Sequence, residues 1–263
     1  MVVKGISEGF HDASVALVNK EEIVWAKHAE RITRKKNDRH NPESLRNADA
    51  AVSVFHENVP LKNRRRAEFG QSLLSTKIFD DCDYHLEHHE SHAAGAYYTS
   101  PFTEDVVCLV IDAIGEWTTS SVWIIERGKL KKVFEKIYPQ SIGLFYSAIT
   151  KRIGLKPNED EYITMGMAAY GKPMVDMQYC FNDWANWHKG FTLDDFKGHS
   201  PEDIAASAQL QAEHEIEKMV QFAAPWGKNL CYAGGVALNC VANSKILHNY
   251  FDNVWIYPNP GDA

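Results

Sequence analysis

The 263-residue sequence has no apolar segment long enough to cross a membrane, and its N-terminus lacks a basic region followed by an apolar signal core. Its five cysteines form no C-x-x-C pair and are odd in number, which argues against a zinc ribbon and a disulfide framework. The net charge of −7 disfavours broad binding to nucleic acid. With 44% hydrophobic and 24% charged residues, the chain has the composition of a soluble globular protein, which we expect in the cytoplasm with reduced, mostly buried thiols.

A pattern of three apolar segments separated by polar turns occurs twice. The first copy comprises Val3 to Ile6, Ser14 to Val18 and Ile23 to Ala26. The second copy comprises Val106 to Ile111, Ser120 to Ile125 and Leu130 to Phe134. Each copy predicts a meander of three strands. Each is followed by a predicted helix, over Ser44 to Val59 and over Ser141 to Gly154, and strands followed by helices indicate an α/β architecture.

Two such units facing each other across a cleft are the plan of actin, hexokinase and the heat-shock chaperone ATPases, a ribonuclease H-like fold. We therefore predict one lobe over residues 1–104 and a second over residues 105–263, with an irregular insertion near 176–201. In this plan an acidic turn after the first strand of each unit approaches phosphate, which makes Asp12 and Asp112 candidates. Short meanders also resemble one another by chance, so the pattern alone leaves that alternative open.

The histidine-rich segment from Asp83 to Ala96 predicts a helix, because it has no breaker over most of its length. His88 and His92 lie one turn apart on such a helix and could offer two imidazoles to one metal ion. His85 and His89 have the same spacing on another face. The spacing does not choose between the two pairs, and a solvated polar helix is the alternative to both.

Two imidazoles need further ligands to complete a metal site, usually carboxylates from other segments. Asp112 ends an apolar strand, and Asp262 lies in a turn after the apolar segment Val254 to Tyr257. Ligands bind at the carboxyl ends of strands in open α/β sheets, which makes both aspartates candidates. An ordinary turn or capping role is the alternative for each.

A strand, a glycine pair and a helix follow one another around Gly234 and Gly235. Backbone without side chains at the start of a helix lets a nucleotide approach and offers amide donors to it. A glycine pair can also simply close a turn, so this signal is weak by itself.

Seven blocks in a fixed order, spread over nearly the whole chain, carry a more specific signal. They are His11–Ser14, Glu30–Lys36, His88–Ala94, Asp112–Trp117, Ser141–Ser147, Met165–Gly171 and Ala233–Cys240. Together they resemble the O-carbamoyltransferases of nodulation factors, cephalosporins and tobramycin. The resemblance implies an actin-like domain with one metal ion, usually iron, with manganese and zinc as alternatives. Its ligands would be the first and last histidines of H-x-E-x-H and two aspartates, here His88, His92, Asp112 and Asp262.

The resemblance also implies that ATP or carbamoyladenylate binds in the cleft. The residues that would contact this nucleotide are Gly115, Gly143, Gly234, Gly235, Val236 and Asn239. His11 and Asp12 would orient or deprotonate the acceptor, and Lys36 would neutralise phosphate, with a solvated basic loop as the alternative for Lys36. Ile163 stands where members of this family usually have a lysine.

In the family, carbamoyl phosphate and ATP first give carbamoyladenylate at a C-terminal YrdC-like domain, and the actin-like domain then transfers the carbamoyl group to a hydroxyl. We therefore expect an O-carbamoyltransferase acting on a hydroxyl-bearing small molecule. The adenylate-forming domain would follow Ala263, so we expect a half-enzyme that obtains this domain in cis or in trans. Two alternatives stay open: threonylcarbamoyl-type transfer to tRNA, and a metal- and nucleotide-binding module without catalysis.

Overall fold

Two five-stranded sheets with equivalent strand orders form the framework of the protein. The computed structural model describes residues 1–182, 187 and 189–262. The first sheet contains β1 (Val3–Ser7), β2 (Ser14–Val18), β3 (Ile23–His28), β4 (Val52–Phe55) and β5 (Tyr84–His85). The second contains β6 (Val106–Ile111), β7 (Thr118–Glu126), β8 (Lys129–Ile137), β9 (Asn229–Ala233) and β10 (Asn253–Ile256). The strand orders β3-β2-β1-β4-β5 and β8-β7-β6-β9-β10 confirm the predicted repeat.

The first three strands of each sheet are antiparallel, and the fourth and fifth add in parallel. Short polar turns suffice for the antiparallel meanders, whereas the parallel strands need longer crossovers that contain helices. As a result, the carboxyl ends of β1 and β4 lie together at one edge of the first sheet. The ends of β6 and β9 lie together in the same way in the second sheet, and side chains that follow these strands can meet.

Ten α-helices connect and cover the strands in the described part of the chain. They are α1 (Glu30–Thr33), α2 (Glu43–Arg46), α3 (Val59–Glu68), α4 (Lys77–Asp80), α5 (His88–Thr99), α6 (Ile142–Arg152), α7 (Glu161–Met167), α8 (Tyr179–Asn182), α9 (Pro201–Ala223) and α10 (Cys240–Ile246). The predicted helix after the second meander is confirmed as α6, which Ser141 caps by accepting a hydrogen bond from the Leu144 N–H. None of the described helices is long and apolar enough to span a membrane.

The predicted helix over Ser44 to Val59 is wrong. The chain there forms the short helix α2, then strand β4, and only then α3. The apolar residues of β4 pair in parallel with β1, and this tertiary pairing prevails over a continuous local helix. Helix α3 begins instead where the Asn58 side chain accepts a hydrogen bond from the Leu61 N–H.

The predicted helix from Asp83 to Ala96 begins five residues later than expected. Tyr84 and His85 form β5 by pairing with β4, and Glu87 keeps an extended backbone. Helix α5 starts at His88, whose backbone N–H donates to the Glu116 carboxylate at 3.0 Å. The expectation that His85 shares a helical face with His89 is therefore wrong.

Both faces of the second sheet are covered by helices. One face, which includes Leu109 and Tyr232, packs against α6, α9 and α10. The other face, which includes Val110, packs against Ala93 and Ala96 of α5. Burying both faces explains why every residue of β6 is buried.

In the first sheet, Ile6 and Phe55 pack against α3, α4 and the segment between them. The predicted boundary between residues 104 and 105 falls between the strands of the two sheets. It stays a prediction, because α5 precedes it in sequence but packs on the second sheet. Within the predicted insertion near 176–201, Trp187 is buried and donates its indole N–H to the Pro139 carbonyl oxygen at 2.7 Å.

Candidate metal centre

Four side chains from three distant segments converge between the two sheets. His88 and His92 lie on α5, Asp112 follows β6, and Asp262 lies in the turn after β10. One ligand atom from each side chain lies within 4.8 Å of the other three. The Nε2 atoms of His88 and His92 are 3.1 Å apart, and an oxygen of Asp262 lies 3.3 and 3.2 Å from them. Asp112 Oδ2 lies 3.2 Å from His88 Nε2.

The chemistry of these atoms fits a divalent cation. Two imidazole nitrogens and two carboxylate oxygens form a mixed donor set of the kind that iron, manganese and zinc accept. Burial by itself would lower the pKa of His88, but the charge of Asp262 and hydrogen bonds to Asp112 and Asp262 raise it well above its usual value. The buried carboxylate of Asp112 and the partly buried one of Asp262 thus favour a positive charge between them, which a bound cation would supply.

The first turn of α5 is held by the segment that follows β6. The carboxylate of Glu116 accepts the backbone N–H groups of His88 and Asn58, and so ties the starts of α5 and α3 together. Gly115 lies against the imidazole, because an added Cβ there would be 2.9 Å from His88 Cβ. Glu116, to which the sequence alone assigned no role, thus fixes the position of His88.

A second group of titratable side chains lies behind His88. Glu57 is fully buried, and one of its carboxylate oxygens lies 3.6 Å from His88 Nδ1 and 3.8 Å from His56 Nε2. The same oxygen pairs with the buried ammonium group of Lys62. This arrangement places a carboxylate near the His88 imidazole nitrogen opposite Nε2, the position in which a metal-binding histidine usually has its outer partner. Glu57 was missed because strand β4, which it follows, was predicted as helix.

His11 lies beside the four converging side chains, and Asp12 contacts His11. His11 Nδ1 is 2.8 Å from Asp12 Oδ2, and His11 Nε2 is 3.4 Å from Asp262 Oδ2. Burial lowers the pKa of His11, but the hydrogen bond to Asp12 and the charge of Asp262 raise it on balance. The imidazole side chain is 30% exposed, so one edge of the centre is open to a ligand.

Comparison with known proteins assigns the chain to a family. The profile of the family described as carbamoyltransferase N-terminus matches residues 63–187 and 180–263. The chain belongs to this carbamoyltransferase family. An uncharacterized protein of Synechocystis sp. is 33% identical over 99% of the chain and 55% of its own length. Nodulation protein NolNO of Sinorhizobium fredii is 25% identical over 96% of the chain and 45% of its own length. The chain thus spans about half the length of these relatives.

Solved structures establish the fold of the chain. One is the activator of 2-hydroxyisocaproyl-CoA dehydratase from Clostridium difficile, solved with bound ADPNP. It has a TM-score of 0.61 at 15% identity, and the match covers 99% of the chain and 90% of the activator. HypF of T. kodakarensis has a TM-score of 0.57 at 13% identity, and the match covers 99% of the chain and 46% of the length of HypF. The predicted actin-like α/β fold is therefore confirmed.

The glycine pair lies next to Asp112, one of the four converging side chains. The Gly235 N–H donates to Asp112 Oδ1 at 3.1 Å, which leaves Oδ2 facing His88. Gly234 has a φ of 90°, and an added Cβ would lie 2.3 Å from the Ile111 carbonyl oxygen, so this position requires glycine. The loop thus orients the Asp112 carboxylate, and its contact with a nucleotide stays a prediction.

Three other predicted nucleotide contacts have structural roles. Gly143 allows α6 to approach the backbone after Asp112, because an added Cβ would lie 2.6 Å from Ala113. Val236 is half-buried in a single 3-10 turn. The Asn239 side chain caps α10 by accepting from the Ala242 N–H and exchanges hydrogen bonds with Gln209. Their predicted contacts with a nucleotide also stay predictions.

The remaining predicted residues do not belong to the group of four converging side chains. The exposed Lys36 lies 3.6 Å from a carboxylate oxygen of Glu159, so its ion-pair partner is outside the centre. His85 stacks on the ring of Phe79, and its Nε2 is 2.7 Å from the Phe79 carbonyl oxygen. His89 Nδ1 is 2.8 Å from the Ser121 hydroxyl oxygen. The structure thus gathers His88 and His92 and leaves His85 and His89 out.

Proposed function

We propose that this chain transfers a carbamoyl group from carbamoyladenylate to a hydroxyl of a small-molecule acceptor. The observation that carries the proposal is the cluster of His88, His92, Asp112 and Asp262 beside the His11 imidazole, in a chain of the carbamoyltransferase family. A cation-binding centre next to a partly exposed imidazole suits acyl-type transfer. Such a reaction needs charge at a carbonyl and a proton acceptor nearby.

The four clustered side chains would hold one divalent cation, which we take to be iron, with manganese and zinc as alternatives. When bound, the ion supplies positive charge that polarises the carbamoyl carbonyl and neutralises the leaving phosphate. Gly235 would keep Asp112 oriented through its N–H, and Glu57 would keep His88 oriented from behind. The nucleotide part of the donor would lie along the backbone of Gly234 and Gly235, close to the same aspartate.

In the transfer step, the acceptor oxygen attacks the carbamoyl carbon while the bond from that carbon to the phosphate oxygen breaks. AMP leaves, and the acceptor proton passes to His11 Nε2. The hydrogen bond between His11 Nδ1 and Asp12 at 2.8 Å holds the ring and stabilises it once it is protonated. The new carbamate ester and AMP then leave the site.

Carbamoyl phosphate and ATP are the ultimate donors in this proposal, and a YrdC-like domain, in cis or in trans, makes the adenylate. The chain alone should therefore release no pyrophosphate from ATP and carbamoyl phosphate, but should release AMP from preformed carbamoyladenylate when an acceptor is present. Rapid pyrophosphate release by the purified chain would refute this division of labour.

The test of transfer measures AMP release by the metal-loaded chain from carbamoyladenylate with a panel of sugars, aminoglycosides and nucleosides, and the product mass. The matched variants are His11→Ala, expected to lose transfer, and His85→Ala, expected to retain it because His85 lies outside the centre. Transfer to tRNA in place of every small molecule would assign the chain to the threonylcarbamoyl-type alternative. Absence of transfer to any acceptor would leave a binding module without catalysis.

A further inference from the structure

The turn that carries His11 and Asp12 joins β1 to β2 and has a constrained backbone. Gly9 has a φ of 104° and Asp12 a φ of 53°, both in the left-handed region. That region is uncommon for a residue with a side chain, and such a conformation persists where neighbouring contacts hold it. The contacts that hold this turn therefore also hold the imidazole of His11.

A buried carboxylate stands at the start of this turn. Glu8 directly follows β1, as Asp112 directly follows β6 in the sheet of equivalent strand order. Asp112 joins the four converging side chains, whereas the two carboxylate oxygens of Glu8 accept hydrogen bonds from Nε and Nη2 of Arg46. Asn41 Nδ2 donates to Glu8 Oε2 at 3.1 Å. We call Glu8, Asn41 and Arg46 the Glu8 clamp.

Asn41 connects the Glu8 clamp to both ends of the turn. Its buried amide nitrogen lies 2.9 Å from the Ser7 carbonyl oxygen, where β1 ends, and 3.3 Å from the Ser14 carbonyl oxygen, where β2 begins. Together with the Glu8 carboxylate, three hydrogen-bond acceptors lie around one amide group, so its nitrogen has to face them. The negative charge of Glu8 favours this orientation, because it would repel the amide oxygen.

The segment that precedes Asn41 holds the middle of the turn. The Gly9 N–H donates to the Arg39 carbonyl oxygen at 2.9 Å, and the Ala13 N–H donates to the Asp38 carbonyl oxygen at 2.8 Å. A displaced Asn41 would move these two carbonyl groups, because they lie two and three residues before it. The Glu8 clamp therefore controls where the whole turn lies.

We propose that Glu8 is a positioning residue for carbamoyl transfer. Through Asn41 and Arg46 it holds the turn in the conformation that places His11 Nε2 3.4 Å from an oxygen of Asp262. This inference rests on the proposed function, in which His11 takes the proton of the attacking hydroxyl. A displacement of a reacting group by about 1 Å can lower a rate about 100-fold, so a loosened turn should slow transfer while the four converging side chains stay together.

The test uses two variants of nearly unchanged shape. Glu8→Gln removes the charge, and Asn41→Asp replaces the donating nitrogen by an oxygen that would face two carbonyl oxygens. Each should reduce kcat for AMP release with a hydroxyl substrate about 10- to 100-fold, with little change in the KM of that substrate and with metal stoichiometry intact. Amide hydrogen exchange, followed by NMR, should become about tenfold faster or more at Gly9 and Ala13.

Two controls separate positioning from general stability. Glu43→Gln removes an exposed charge from α2, the helix that ends at Arg46, and should leave kcat and the amide exchange of the turn unchanged. Val220→Ala shortens a fully buried side chain of α9 in the core of the second sheet. It should lower the midpoint of urea denaturation but leave kcat of the folded protein unchanged.

Wild-type kcat and wild-type amide exchange in folded Glu8→Gln and Asn41→Asp would overturn the proposal. An equal loss of kcat in Val220→Ala would also overturn it, because reduced stability would then explain the effect. Loss of bound metal in Glu8→Gln would place its effect at the metal centre and contradict the proposal as well. If the wild-type chain transfers to no hydroxyl, the proposed function fails, and amide exchange alone then decides whether Glu8 holds the turn.

Discussion

Replacing Glu57 by Gln tests whether its carboxylate orients His88 for the proposed metal binding or only supports the fold. The Glu57 carboxylate lies 3.6 Å from His88 Nδ1 and also pairs with Lys62, which is 3% exposed. Burial raises the pKa of Glu57, but the charges of Lys62 and His56 lower it on balance, so the side chain is anionic at neutral pH. Glu57→Gln keeps the shape and removes the charge.

Two effects of different size should follow. Leaving the Lys62 ammonium buried without its anion should lower the free energy of unfolding by about 3–5 kcal/mol. Losing the carboxylate behind His88 should weaken metal binding about 10- to 100-fold, the usual effect of removing an outer partner from a histidine ligand. The double variant Glu57→Gln, Lys62→Met removes both charges. It should regain much of the stability but none of the metal affinity.

The assay pairs urea denaturation of the metal-free proteins with metal titration in competition with a chromophoric chelator. Lys62→Met alone is the control that leaves Glu57 in place next to His88. If the folded double variant binds metal as tightly as wild type, Glu57 does not position His88, and its contact is only structural. A visible spectrum of bound Co²⁺ that is the same in wild type and double variant would support that contrary conclusion.

Four further outcomes follow from the same contacts. His92→Ala should abolish stoichiometric metal binding in elemental analysis, whereas His85→Ala should retain it; equal loss from both would contradict the ligand assignment. Gly143→Ala should lower the free energy of unfolding by about 1–3 kcal/mol, because its Cβ would lie 2.6 Å from neighbouring backbone; unchanged urea denaturation would show that the backbone relaxes without cost. Gly235→Val should weaken binding of AMP or ADP in calorimetry by obstructing the loop, and unaltered affinity would remove this loop from the nucleotide site. His11→Ala should reduce kcat for carbamoyl transfer about 10²- to 10⁴-fold with metal stoichiometry intact, and an unchanged kcat would exclude His11 as the proton acceptor.

The sequence predicted the repeated meanders because their strands are local patterns bounded by polar turns. It predicted β4 wrongly because that strand is specified by its pairing with β1, a contact between residues far apart in the chain. The wrong assignment had a direct consequence for the site. Glu57 follows β4 just as Asp112 follows β6, and a correct β4 would have made it a candidate by the same reasoning.

The ligand set shows a different limit of sequence reasoning. Spacing alone did not distinguish the pair His85 and His89 from the pair His88 and His92. The family resemblance decided between the two pairs. The physical reason is the start of α5, which the Glu116 carboxylate fixes at His88 through a contact across 28 residues. Residues that anchor a helix from another segment leave no periodic pattern, so this contact could not be predicted.

The crossing of α5 has a consequence for folding. The helix follows the strands of the first unit in sequence, but its Ala93 and Ala96 bury Val110 in the second. Cutting the chain between residues 104 and 105 would therefore expose one face of β6 in the C-terminal fragment and leave α5 without its partner in the other. The two units should unfold in a single cooperative transition, because the second unit completes its hydrophobic core with α5 of the first.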